Sequence, residues 1–205
     1  MTRLKRLYLD GKLLDVTHPF EEEVDCLVRT NHTFVMTNIS RLEKENIAMR
    51  EKATDCPELG SDLAETRAIA NDLRRAANAL ALVGLVTRLN HWVSIFVEEI
   101  TNETAKNRGL VTNLKRLNDQ TGSGPVSIEF FDNLVTVRDS IVHADSQIEW
   151  THQGRKRQVS EQYANTTSGD IEFTETHLQE AMENSIKQVK WYDDRLDTLE
   201  APKTD

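Results

Sequence analysis

The sequence has too few cysteines to build a disulfide framework. Cys26 and Cys56 are the only two among 205 residues, and they do not form a Cys-x-x-Cys pair. Disulfide-stabilised secreted domains are rich in cysteine, whereas thiols in the cytoplasm stay reduced. The basic N-terminal residues are followed by neither the apolar core nor the small-residue cleavage site of a signal peptide. The sequence therefore predicts a cytoplasmic protein with reduced thiols.

Long apolar runs and positive charge are also scarce. No stretch reads as the ~18 consecutive apolar residues of a membrane span, so no membrane partner is expected. The 34 acidic residues outnumber the 25 lysines and arginines, and the net charge is −9. Proteins that coat DNA through many phosphates are usually basic, so that class is disfavoured. One basic segment without acids exists at 151–158, where Arg155, Lys156 and Arg157 are candidate RNA-binding residues.

The pattern of apolar residues predicts an all-α fold. Apolar side chains recur at three- and four-residue steps over 19–52, 61–106 and 125–142, and again after a capping box at Thr176–Gln179. The connections between these segments are short enough for antiparallel neighbours. We therefore expect an antiparallel helical bundle of four to five helices, with a long N-terminal helix and little or no sheet.

The remaining segments complete the predicted domain organisation. Residues 1–60 form an N-terminal segment and the long helix, 61–200 the bundle, and 201–205 a frayed tail. The first 18 residues suit either a helical turn or an edge strand. The stretch after Gly109 reads as a polar connection to Pro125, and 144–169 as a polar segment followed by a short strand. His32, on the long helix, is expected at the surface or in an interface.

Three residues with candidate chemistry lie at the end of an apolar helix. Arg138 and Asp139 precede His143 in the run from Val137 to Trp150, and apolar residues surround them. Charge in such a place needs a partner or a task. Arg138 and His143 are ~140° apart on a regular helix, so they do not share a face. They meet only if the helix ends near His143, or if two copies face each other about a two-fold axis.

These residue types favour chemistry at a phosphodiester. A neutral histidine can take the proton of a ribose 2′-hydroxyl, and a protonated one can supply a proton to the leaving oxygen. Arginine offers planar paired donors to phosphate oxygens and stabilises charge that grows on phosphorus. This route needs no metal or other cofactor. It cleaves RNA and spares DNA, because the nucleophile is the 2′-hydroxyl.

The run Arg138-Asp-Ser-Ile-Val-His143 resembles the Arg-x4-His motif of the HEPN superfamily. The resemblance covers about 75–200. It implies a helical bundle that forms a homodimer with a composite site and acts as a metal-independent endoribonuclease. It also implies a toxin or phage-defence setting, with an antitoxin or other protein partner. Arg138 would bind the scissile phosphate, His143 would be the acid or base, and Asp139 would orient them.

Two other interpretations of the same residues remain open. HEPN proteins often have asparagine where Asp139 stands, and some members bind RNA, nucleotide or protein without cleaving. Arg138 could simply pair with Asp139 while His143 caps the helix end, where a cation suits the dipole. A metal site of Asp139, His143, Asp145 and His152 is disfavoured, because no ligand pair recurs at helical spacing and no glutamate base lies beside it.

Overall fold

The computed structural model describes residues 8–9, 12–13, 18–52, 59–101, 109–152, 154–165 and 167–200. Most of the predicted N-terminal segment, most of the break predicted at 56–60 and the whole tail at 201–205 lie outside these residues. Within them the all-α prediction is confirmed. The helical elements are α1 Pro19–Glu23, a π-helical segment Val24–Arg29, α2 Thr30–Lys52, α3 Leu59–Thr101, α4 Leu110–Thr121, α5 Ile128–His143 and α6 Glu175–Glu200.

The named strands of the described residues form only short antiparallel pairs. One 3-10 turn lies at Glu161–Tyr163. The paired strands are β1 Tyr8–Leu9 with β2 Lys12–Leu13, β3 Glu149–His152 with β4 Arg155–Gln158, and β5 Ala164–Asn165 with β6 Asp170–Ile171.

The second half of α3 is the centre of the core. It contacts α1, the π-helical segment, α4, α5 and α6. The helix continues without a break through Gly84 and Asn90, and its inward side chains pack against apolar residues of those neighbouring helices. Its side chains with 0% exposure are Leu82, Leu85, Leu89, Val93 and Val97.

One stretch within Ala64–Thr101 is long and apolar enough to cross a membrane, although the sequence suggested no such run. The core helix of a soluble protein has the same length and composition. Leu82, Leu89 and Val93 of this stretch are fully buried by neighbouring helices. Burial inside the bundle accounts for the apolar character of these three positions.

The long N-terminal helix has two parts with different surroundings. Phe20, Val24 and Val28 lie in the same core as α3, with exposures of 0–3%. Beyond them α2 packs mainly against the first half of α3. Its contacts His32 with Asn78 and Glu43 with Arg74 run in opposite order along the two helices, so the pair is antiparallel. We call α2 and the facing half of α3 the arm.

Helix α4 was missed from the sequence, which predicted a polar connection there. Leu110, Leu114 and Leu117 recur at four- and three-residue steps and are at most 4% exposed. The narrow apolar stripe is enough, because the remaining side chains, the buried Asn113 excepted, reach solvent at least in part. The high content of polar residues concealed it.

The sequence also misplaced the start of α6. The predicted capping box began at Thr176, but the helix begins at Glu175 and is capped by Thr174. The amide of His177 donates to Thr174 Oγ1 over 3.3 Å, and the amide of Thr174 donates to His177 Nδ1 over 3.2 Å. This is the reciprocal pattern of a capping box, with histidine in the position usually held by glutamate or glutamine.

A buried polar contact joins the arm to the bundle. His32 is only 7% exposed, so its predicted surface position is wrong, and its Nε2 lies 2.6 Å from Asn78 Oδ1. Asn78 Nδ2 donates to the carbonyl of Phe173 over 3.1 Å. We expect Asn78→Ala to lower the free energy of unfolding by about 2–3 kcal/mol, because it leaves buried polar groups unpaired. Chemical denaturation measures this change.

The control is His91→Ala, at an exposed position of the same helix. Its cost should stay within about 0.5 kcal/mol. Equal losses in the two variants would show that the buried contact does not stabilise the arm.

Tyr192 gives the fold a defined sensitivity to alkaline pH. Its side chain is fully buried, its hydroxyl donates to Asn118 Oδ1 over 2.6 Å, and burial raises its pKa to about 12. An unfolded tyrosine loses its proton near pH ~10. The stabilising contribution is thus complete below pH ~10 and is lost as pH rises towards the folded-state pKa.

We expect Tyr192→Phe to cost about 1 kcal/mol at neutral pH, through the lost hydrogen bond. Above pH ~10 the wild type should lose stability faster than the variant, so the gap should narrow. Denaturation curves at several pH values measure both effects. A gap that stays constant up to pH ~12 would contradict the assignment.

Candidate functional site

The chain reverses direction immediately after α5. His143 is the last residue of that helix, and Asp145 and Ser146 follow with φ values of 48° and 62°. Short polar side chains tolerate this left-handed conformation better than most others. The hydroxyl of Ser140, fully buried in α5, donates to the carbonyl of Gln147 over 2.6 Å. The segment after the helix is thereby tied back against the helix end.

This reversal leads into the hairpin of β3 and β4. In its register His152 lies opposite Arg155, and Trp150 lies opposite Arg157. Directly opposed residues of an antiparallel pair point to the same face, so these four share one side of the hairpin. Trp150 is 9% exposed and belongs to the core, which fixes that face towards the bundle. Gly154, with φ 75°, occupies the tight turn between the strands.

The hairpin brings a second histidine to the end of α5. The rings of His143 and His152 are stacked, with centroids 5.5 Å apart and planes inclined by 25°. His143 is exposed and His152 half-buried, so both are within reach of a ligand. A pair of imidazoles can supply one proton acceptor and one proton donor to the same reaction.

Arg138 lies in a different environment from His143. Its Nε is 2.8 Å from Asp139 Oδ1, and both side chains are about one third exposed. The Nε atom is buried and makes no hydrogen bond within the described chain, so this contact is an ion pair with poor N–H alignment. Since α5 is regular through His143, Arg138 and His143 stay ~140° apart around its axis.

The three basic candidates divide between the two faces of the hairpin. Arg155, Lys156 and Arg157 are all exposed. Lys156 Nζ lies 2.7 Å from Glu149 Oε2, on the face away from His152. The register therefore brings Arg155 beside His152, places Arg157 opposite Trp150 on the same face, and leaves Lys156 on the other face.

The metal interpretation gains no geometric support. Among the residues that the structure describes, no three histidine, cysteine or acidic side chains gather in a way that could hold an ion. Sequence reasoning named His152 only as a ligand of such a site. Its contact with His143 depends on the turn after α5 and on the hairpin register, and no local pattern in the sequence indicates either.

No protein-family model, curated protein or solved structure matches this chain. The resemblance to the HEPN superfamily therefore stays a prediction, carried by the run from Arg138 to His143.

Proposed function

We propose that this protein is a metal-independent endoribonuclease of HEPN type that works in the cytoplasm in a toxin or phage-defence setting. The observation that carries the proposal is the stacked pair of His143 and His152, with Arg155 opposite the second ring. Two groups able to exchange protons and a guanidinium to receive a phosphate are the parts that the reaction needs.

The proposed reaction proceeds by attack of the 2′-hydroxyl on the neighbouring phosphorus. One imidazole takes the hydroxyl proton as the oxygen–phosphorus bond forms. The other, protonated, gives a proton to the 5′-oxygen as its bond to phosphorus breaks. The products are a 2′,3′-cyclic phosphate and a 5′-hydroxyl. Arg155 stabilises the negative charge that grows on the phosphoryl oxygens.

Arg138 takes part through the guanidinium nitrogens other than Nε. Its contact with Asp139 is through Nε, and a guanidinium carries five N–H donors. Because Arg138 and His143 point in different directions on one helix, Arg138 acts on the phosphate held by a second copy. A composite site of this kind is what the resemblance to the HEPN superfamily implies. An antitoxin or other protein partner would inhibit its activity.

Cleavage of a mixed RNA pool in the presence of EDTA tests the proposal. We expect His143→Ala and His152→Ala each to lower the cleavage rate by about 10²-fold or more, since each removes a proton-transfer group. Arg138→Ala should lower it through the lost phosphate contact. His91→Ala, an exposed histidine on α3, should leave the rate unchanged. Product ends identify the chemistry, and DNA of the same sequence should stay intact.

Three outcomes would contradict this assignment. Loss of cleavage in EDTA would indicate a metal-dependent enzyme. Equal residual cleavage by all variants would indicate a contaminant. Absence of cleavage by a folded wild type would leave a binding module as the function.

The Arg138–Asp139 ion pair favours that second function, a non-catalytic HEPN-like module that binds RNA, nucleotide or protein. A carboxylate 2.8 Å from Nε competes with any phosphate for Arg138. We expect Asp139→Asn to tighten binding of a 2′-O-methyl RNA several-fold, because it removes the competing charge without changing the side chain's shape. Titration by fluorescence anisotropy measures the affinity.

Asp132→Asn is the matched control, since Asp132 is exposed on the same helix. It removes the same formal charge at another position. Equal changes in affinity for the two variants would show that only net charge matters and that Arg138 is not in the RNA site.

A further inference from the structure

The arm exposes a set of large apolar side chains that nothing in the described chain covers. Each is 49–72% exposed. Monomeric soluble proteins rarely expose apolar patches of more than a few hundred Å². We call this set the arm face; its members are Phe34, Leu42 and Met49 on α2, and Ile69, Leu73 and Leu80 on α3.

The two stripes of the arm face lie on the same side of the helix pair. At about 100° per residue, the stripe on α2 is about 110° away from His32 and Ile39, which point at α3. The stripe on α3 is about 70° away from Ala70 and Ala77, which point at α2. The two rotations have the same sense along each chain. Because the helices are antiparallel, rotations of the same sense bring both stripes to one side.

Few of the side chains along the two stripes are charged. Asn31 and Asn38 continue the stripe on α2, and Ala76 continues the stripe on α3. Arg41 and Glu45 pair with each other over 3.2 Å, and Glu65 lies one turn before Ile69. A large part of this protein's surface is charged, because 29% of its residues are. The arm face therefore stands out by its apolar character and by its low charge.

The other flank of α2 has the opposite composition. Thr33, Thr37, Ser40 and Lys44 line a polar groove there, together with Glu175 at the start of α6. The arm thus has one flank suited to water and one flank suited to burial.

We infer that the arm face is the surface through which two copies of this chain associate. A two-fold axis through the face would pack two helix pairs into an antiparallel four-helix bundle, in which each apolar stripe meets another. Copies that each carry a net charge of −9 repel one another, and the repulsion is least where the contact surface is neutral. This inference does not depend on the proposed ribonuclease activity.

The size of the arm face agrees with a small dimer interface. From Phe34 to Met49 it spans about 24 Å, and two adjacent helices are about 20 Å wide. Each copy would bury about 500 Å², so that the pair buries about 1,000 Å², the lower end for a specific interface.

The test measures the molar mass of the full chain by light scattering during size-exclusion chromatography. We expect a wild-type dimer and a monomeric Phe34→Glu/Leu80→Glu variant, with a dissociation constant raised by at least about 100-fold. The control Thr37→Glu/Ala68→Glu places the same charges at exposed sites on the other flank and should stay dimeric. Circular dichroism checks that all variants keep their helical content.

A second pair of variants separates self-association from misfolding. Phe34→Lys/Leu80→Lys should also be monomeric alone. Mixed with the glutamate variant it should form a heterodimer, because opposite charges then meet across one interface. A monomeric wild type at micromolar concentrations would overturn the inference. So would a dimer that the glutamate variant leaves intact, or a mixture of the two variants that does not associate.

Discussion

Burial of the second half of α3 is the constraint on which the rest of the structure depends. Leu82, Leu85, Leu89, Val93 and Val97 are fully buried, and at about 100° per residue they cover an arc of about 120° on one side of the helix. An apolar face of this width and length needs several neighbouring helices to cover it. The start of the first helix, α4, α5 and α6 supply them. This requirement makes α4 necessary although its sequence is mostly polar.

The candidate site is a consequence of how the chain leaves this core. The buried hydroxyl of Ser140 and two left-handed residues turn the backbone at the end of α5. Trp150 then inserts into the core and sets which face of the hairpin points inward. With that face determined, the ring of His152 stacks on that of His143, and the pairing register puts Arg155 opposite His152. The two histidines thus meet at one end of the bundle because of contacts that have no chemical role.

The arm inverts the usual arrangement of a helix pair. Its inner seam contains a histidine–asparagine contact, the Glu43–Arg74 ion pair and small side chains such as Ala70 and Ala77. Its large apolar side chains point outward. Polar seams of this kind contribute little net stability, because desolvation offsets much of the attraction. A helix pair built in this way gains most from a partner that covers its outer face.

The amino-acid sequence by itself determined the helical class, the long first helix and the candidate residues on α5. Periodicity and the absence of interior proline are local properties, and local properties suffice for helices. It did not reveal α4, whose apolar stripe is narrow, or the hairpin, whose strands are short and polar. The apolar periodicity over 61–106 does not distinguish Leu73 and Leu80, which are exposed, from Leu89 and Phe96, which are buried. Only the tertiary structure decided which side chains are covered and that His152 meets His143. Both depend on contacts between residues distant in sequence or across a turn, and periodicity contains no information about such contacts.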